Sequence, residues 1–165
     1  MVSRDRMAAA AELLEACHRA GLKLVTAESC TGGLVAGCLT SIPGSSEVYD
    51  RGFVVYSNRA KQDLLGVPGL LIETVGAVSE EVARAMADGA IARSEGTLSV
   101  AVTGIAGPGG ATPGKPVGLV HIAAARTGHP TIHERHVFKG DRDAIRMQAV
   151  DAALDLLLQR ADDDR

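Results

Sequence analysis

A hydroxyl, a thiol and two adjacent glycines share one short stretch, 28–33, ESCTGG. An apolar run around Leu24 precedes it and another, from Leu34, follows. A strand–turn–helix junction of this kind sets small polar groups at the carboxyl edge of a sheet, where open α/β folds bind ligands. Ser29 then lies beside a helix N-terminus. The N–H groups of Thr31, Gly32 and Gly33 are placed to hold an oxyanion or a phosphate. The same residues also fit a plain helix cap with glycines for close packing, and the local sequence leaves both readings open.

A second stretch, 103–110, TGIAGPGG, is dense in glycine. Its backbone can approach an anion closely, which makes Thr103, Gly104 and Gly107 candidates for a ligand loop. An ordinary surface loop would be more polar. Just beyond, 109–115 reads GxxxxGK, but Pro116 stands where a magnesium-binding Ser or Thr is required. A strand follows it, not a helix, so the match to a nucleotide phosphate loop is spurious.

A hydroxyl that acts as a nucleophile needs a base. Lys61 is a candidate, on a short helix after the strand ending at Tyr56. By default such a lysine is exposed and charged; burial or a cation such as Arg59 or Arg142 would lower its pKa enough for it to serve. Tyr56 reads equally as a core residue. Cys30 is a rival nucleophile in the same turn as Ser29. The five histidines, at 18, 121, 129, 133 and 136, lie outside the glycine-rich turns, so Cys30 lacks the usual partner and reads as a small buried residue. His133 and His136 point to opposite faces of one strand, which argues against a metal pair.

The elements that must hold these groups follow from caps and periodicity. Ser3 caps a helix running to about Ala20, with Leu13, Leu14 and Cys17 as its apolar stripe and Gly21 as its stop. Strands are expected over 23–26, 52–56, 98–103, 117–125 and 131–138, the last two forming a hairpin at Thr127 and Gly128. Ser57 caps the helix carrying Lys61. Ser79 opens a helix to about Arg93, and Asp141 opens the last, to about Gln159, leaving 161–165 as a frayed tail. Helices alternating with strands predict a three-layer α/β/α architecture around a mixed sheet of about five or six strands. The 165 residues fit one domain, 1–165.

At 46% hydrophobic and 22% charged, the chain can bury a core. A net charge of −3 without a basic run argues against a nucleic-acid surface, and four Tyr and Phe with no Trp argue against a base-stacking platform. No apolar stretch reaches the ~20 residues of a membrane span, and the N-terminus lacks a signal-peptide core. Three cysteines without CxxC spacing favour a reducing cytoplasm over a disulfide framework or zinc site.

Five ordered motifs then converge: 27–33 (AESCTGG), 48–58 (VYDRGFVVYSN), 76–81 (GAVSEE), 102–110 (VTGIAGPGG) and 115–118 (KPVG). From about Leu13 to Leu157 the chain closely resembles the CinA C-terminal domain family, whose stand-alone members are nicotinamide-nucleotide amidases. The resemblance implies hydrolysis of the carboxamide of nicotinamide mononucleotide to nicotinate mononucleotide and ammonia, by a serine–lysine arrangement without metal or cofactor. It assigns the serine to Ser29 and the lysine to Lys61, with Tyr56 assisting. The substrate would be held by Thr31, Gly32, Gly33, Thr103, Gly104, Gly107 and Arg142, with Ser46 a lesser candidate. It also implies a homodimer. The competing reading is a non-catalytic nucleotide-binding accessory linked to competence; a cysteine hydrolase built on Cys30 is a third.

Overall fold

The computed structural model describes residues 4–163. Twelve elements follow in chain order: α1 (Arg4–Ala20), β1 (Leu24–Glu28), α2 (Leu34–Thr40), a 3-10 turn (Ser45–Glu47), β2 (Tyr49–Val54), α3 (Asn58–Leu65), α4 (Gly69–Val75), α5 (Glu80–Ala92), β3 (Leu98–Gly104), β4 (Leu119–Arg126), β5 (Ile132–Val137) and α6 (Arg142–Ala161). Ser3, expected to cap the first helix, lies outside the described residues. One five-stranded sheet runs β2-β1-β3-β4-β5. Strand β1 is parallel to both its neighbours, while β3–β4 and β4–β5 are antiparallel. The expected mixed sheet in three layers is what forms.

The period-two alternation of the central strands divides the core. Leu98, Val100 and Val102 of β3, with Val120 and Ile122 of β4, face α1, α2 and α6. On the other face, Ala27, Ala101, Ala123 and Ala125 meet α3, α4 and α5. The side chains differ in size for a reason. Small residues on the second face let α5 lie close to the sheet, and Ser99 Oγ donates to the Ala87 carbonyl of α5 at 2.7 Å. Gly89 of α5 passes so near α3 that a Cβ would sit 2.1 Å from the Leu65 carbonyl oxygen. Only glycine fits there.

Three expectations need correction. Strand β2 starts at Tyr49, not Gly52, and stops at Val54, because its partner β1 ends at Glu28, the register partner of Val54. Tyr56 therefore lies past the strand, in the connection to α3. The helix α4 was not anticipated; Pro68 stands at its N-cap without a side-chain cap, and Leu70 is exposed, so neither cap nor stripe announced it. The last helix continues to Ala161, which is buried, so the tail begins later than the charge pattern suggests.

Candidate active site

Strand β1 delivers Ser29 to the carboxyl edge of the sheet. The Ser29 N–H donates to the Val102 carbonyl at 2.9 Å, which extends the β1–β3 ladder by one residue and fixes the turn. The chain then reverses through Gly32 and Gly33, with φ of 58° and 100°, values that side-chain-bearing residues rarely adopt. Glu28 completes the corner. Fully buried, its carboxylate accepts from the Val35 N–H at 2.8 Å and the Ala36 N–H at 3.1 Å, closing the N-terminus of α2. Anionic charge is favoured at that end of a helix. From the other side, the Arg146 guanidinium of α6 donates to the Cys30 and Thr31 carbonyls at 3.0 and 3.3 Å.

Lys61 comes to this corner from α3. Ser57 caps that helix by accepting from the Ala60 N–H. Side chains on a helix tilt toward its N-terminus, so the Lys61 stem runs back toward the segment that feeds the helix. Its Nζ lies 3.0 Å from Ser29 Oγ, 3.0 Å from the Val55 carbonyl and 3.1 Å from the Tyr56 carbonyl. The residue is 1% exposed, and burial pushes its ammonium below the ordinary lysine value. A neutral amine has two N–H groups and one lone pair. Two carbonyls can take the N–H groups, which leaves the lone pair to face the Ser29 hydroxyl. Such an arrangement fits a nucleophile and its base.

Both groups open into a cavity of about 190 Å³. Its walls include Cys30, Tyr56, Asn58, Ala77, Val78, Thr103, Gly104, Ala106 and Arg142. Arg142, the first residue of α6, is exposed at the mouth and donates to the Gly107 carbonyl at 2.8 Å and toward the Tyr56 hydroxyl at 3.4 Å. Tyr56 is 64% exposed, so it is a rim residue and not core. Thr103 is buried and its hydroxyl donates to the Ala77 carbonyl at 2.9 Å. Gly104 also has a packing reason: a Cβ would sit 2.7 Å from Val120 Cγ2.

The structure thus gathers Ser29, Lys61, Tyr56, Thr103, Gly104 and Arg142 around one cavity, with Gly107 behind Arg142. It does not bring in Thr31, Gly32 or Gly33. The Gly32 N–H is committed to the Ser29 carbonyl at 3.1 Å, Thr31 is fully buried with its hydroxyl lacking a hydrogen-bond partner, and Gly33 backs onto Val54. These residues make the turn and do not line the cavity. Ser46 sits in the 3-10 turn before β2, at the opposite edge of the sheet from Ser29. Cys30 does line the cavity, but burial pushes its thiol up to about 11, so it is protonated at neutral pH. Asn58, Ala77, Val78 and Arg146 escaped the sequence reading. Asn58 closes the 48–58 motif and Ala77 and Val78 lie inside 76–81, so the motifs held the signal for those three. Arg146 had none. Among the described residues no three His, Cys, Asp or Glu side chains cluster as metal ligands would, and no helix is long and apolar enough to cross a membrane.

The model of the CinA C-terminal domain matches residues 6–161. A nicotinamide-nucleotide amidohydrolase PncC of Pseudomonas putida is 50% identical over 91% of this chain and 93% of its own length. CinA-like proteins of Akkermansia muciniphila and Myxococcus xanthus are 50% and 48% identical, and this chain spans about a third of their length, 35% and 37%. Among solved structures, the competence/damage inducible protein CihA of Agrobacterium tumefaciens superposes with a TM-score of 0.94 at 46% identity, covering 96% of this chain and 97% of that one. ComA of Klebsiella pneumoniae superposes at 0.90 with 35% identity, covering 94% and 96%. The chain belongs to the CinA C-terminal domain family.

Proposed function

We propose that this chain hydrolyses the carboxamide of nicotinamide mononucleotide, giving nicotinate mononucleotide and ammonia. One observation carries the reading: a buried lysine amine 3.0 Å from a serine hydroxyl, both opening into a cavity. The likeness to the Pseudomonas putida amidohydrolase supports the choice of substrate.

In the proposed reaction Ser29 Oγ attacks the carboxamide carbon while Lys61 takes the hydroxyl proton. The tetrahedral intermediate collapses, the C–N bond breaks, and Lys61 returns the proton to the departing amine, which leaves as ammonia. Water then attacks the Ser29 ester, giving its proton to Lys61. The C–Oγ bond breaks, Ser29 recovers the proton, and the acid is released. Substrate, water and these side chains balance every step. Asn58, which lines the cavity, supplies a donor for the oxyanion, and Arg142 at the mouth meets the phosphate. The cavity holds the ring, with the ribose phosphate extending past Tyr56. The protein works as one domain in a reducing cytoplasm, where its free buried cysteines persist, and as a homodimer.

Purified protein supplied with nicotinamide mononucleotide after chelation should release ammonia and nicotinate mononucleotide in equal amounts. Tight binding by calorimetry without turnover would favour the accessory-module reading instead.

A further inference from the structure

The short link between α4 and α5 supplies Ala77 and Val78 to the cavity, and several of its residues are tied down. Lys115 Nζ donates to the Val75 carbonyl at 2.6 Å, Ser79 Oγ to the Gly76 carbonyl at 2.8 Å, and Thr103 Oγ1 to the Ala77 carbonyl at 2.9 Å. The last tie is unusual, because it runs through two imidazoles. Glu80, the first residue of α5, lies 3.1 Å from His133 Nδ1 on β5, and His133 Nε2 lies 2.8 Å from His121 Nδ1 on β4. The rings meet edge to edge, with planes 21° apart and centroids 5.1 Å apart. His121 is itself the register partner of Thr103.

The carboxylate fixes the protons. Glu80 can only accept, so His133 carries its hydrogen on Nδ1 and presents a bare Nε2. His121 must then donate from Nδ1. In this pair of tautomers both rings are neutral. A further proton on His133 Nε2 would set two N–H groups against each other.

We propose that the His121–His133–Glu80 chain is a proton-wired bolt that holds the Ala77–Val78 wall in place and thereby sets substrate affinity. These are positioning residues, and the role assigned to them rests on the amidase reading. Burial keeps both rings neutral: it lowers the pKa of His121 to about 4 and lowers that of His133 as well. Facing His121 are His133 and Arg135 of β5, Lys115 of the loop and Glu80 of α5. Facing His133 are Glu80, Glu81 and Arg84 of α5 and Glu134 of its own strand. Near neutral pH the bolt is shut.

The test compares Glu80→Ala, Glu80→Gln and His133→Phe with wild type in ammonia release from nicotinamide mononucleotide between pH 5 and 8. Glu80→Ala and His133→Phe should raise KM about tenfold, as loss of a charge-assisted hydrogen bond would, with kcat little changed. Glu80→Gln keeps an acceptor for His133 Nδ1 and should stay near wild type, although it loses the charge that a helix N-terminus favours. The ratio of variant to wild-type KM cancels titration of the substrate phosphate and should stay well above one near neutral pH. Wild-type KM in Glu80→Ala, or a Glu80→Gln as impaired as Glu80→Ala, would overturn the proposal. If His133→Phe does not fold, the Glu80 pair decides alone. Should wild type release no ammonia, the amidase reading fails separately, and amide exchange at Ala77 and Val78 judges the bolt: faster in Glu80→Ala than in Glu80→Gln supports it, equal rates overturn it.

Discussion

At the scale of single residues, the proposed reaction gives two side chains a definite task. Lys61 must be an amine and not an ammonium when Ser29 attacks, and its burial at 1% exposure moves it that way. The sign follows directly: the working form is the deprotonated one, so kcat rises with pH to a plateau. Its inflection should lie below the ordinary lysine value of 10.5. A pH–rate profile on nicotinamide mononucleotide measures it, and an inflection at the ordinary value would remove the desolvated amine from the mechanism. Arg142 acts at the mouth, away from the reacting carbon. Arg142→Gln should raise KM about tenfold and leave kcat within about twofold, because a phosphate contact is made alike in ground and transition states. A fall in kcat with unchanged KM would assign Arg142 to the chemistry instead.

At the scale of elements, the corner between β1 and α2 decides where the serine points. Glu28 closes the helix start with both oxygens inside the core. Glu28→Ala would leave one buried and one partly buried N–H group without partners, and urea unfolding should show a loss of about 2–3 kcal/mol; Glu28→Gln, which keeps one acceptor, should lose less. The sequence made much of this corner legible, because a serine before paired glycines announces a turn. It could not show that Glu28 already occupies the helix N-terminus and that the Gly32 N–H is committed to Ser29. Thr31, Gly32 and Gly33 do not line the cavity, and which donors remain free depends on partners that only the folded turn supplies. The Lys61–Ser29 contact joins residues 32 positions apart, and no local pattern marks it. The sequence offered Lys61 as a possible base, and only the resemblance paired it with Ser29. Arg146 was missed on similar grounds, since its partners are carbonyls 116 and 115 residues away.

At the scale of the whole molecule, the strands and long helices were legible because caps and alternation act locally, while α4 was not, because it has no capping side chain and exposes Leu70. Acid sensitivity is a property of the entire fold. Folding lowers the His121 pKa from 6.5 to about 4, so as the pH falls through that window the unfolded chain takes up the proton first. The stabilisation is complete above about pH 6.5 and is lost progressively toward pH 4. Thermal melting across this range should show a steeper decline for wild type than for His121→Gln; equal slopes would mean that this imidazole titrates alike folded and unfolded. The central claim is narrower, that the hydroxyl of Ser29 and not the thiol of Cys30 attacks the amide. Ammonia release from nicotinamide mononucleotide by wild type, Ser29→Ala and Cys30→Ala, measured side by side after chelation, tests it most directly. Wild type and Cys30→Ala should turn over, and Ser29→Ala should fall by at least about a thousandfold. Full activity in Ser29→Ala, or a silent wild type, would contradict the account.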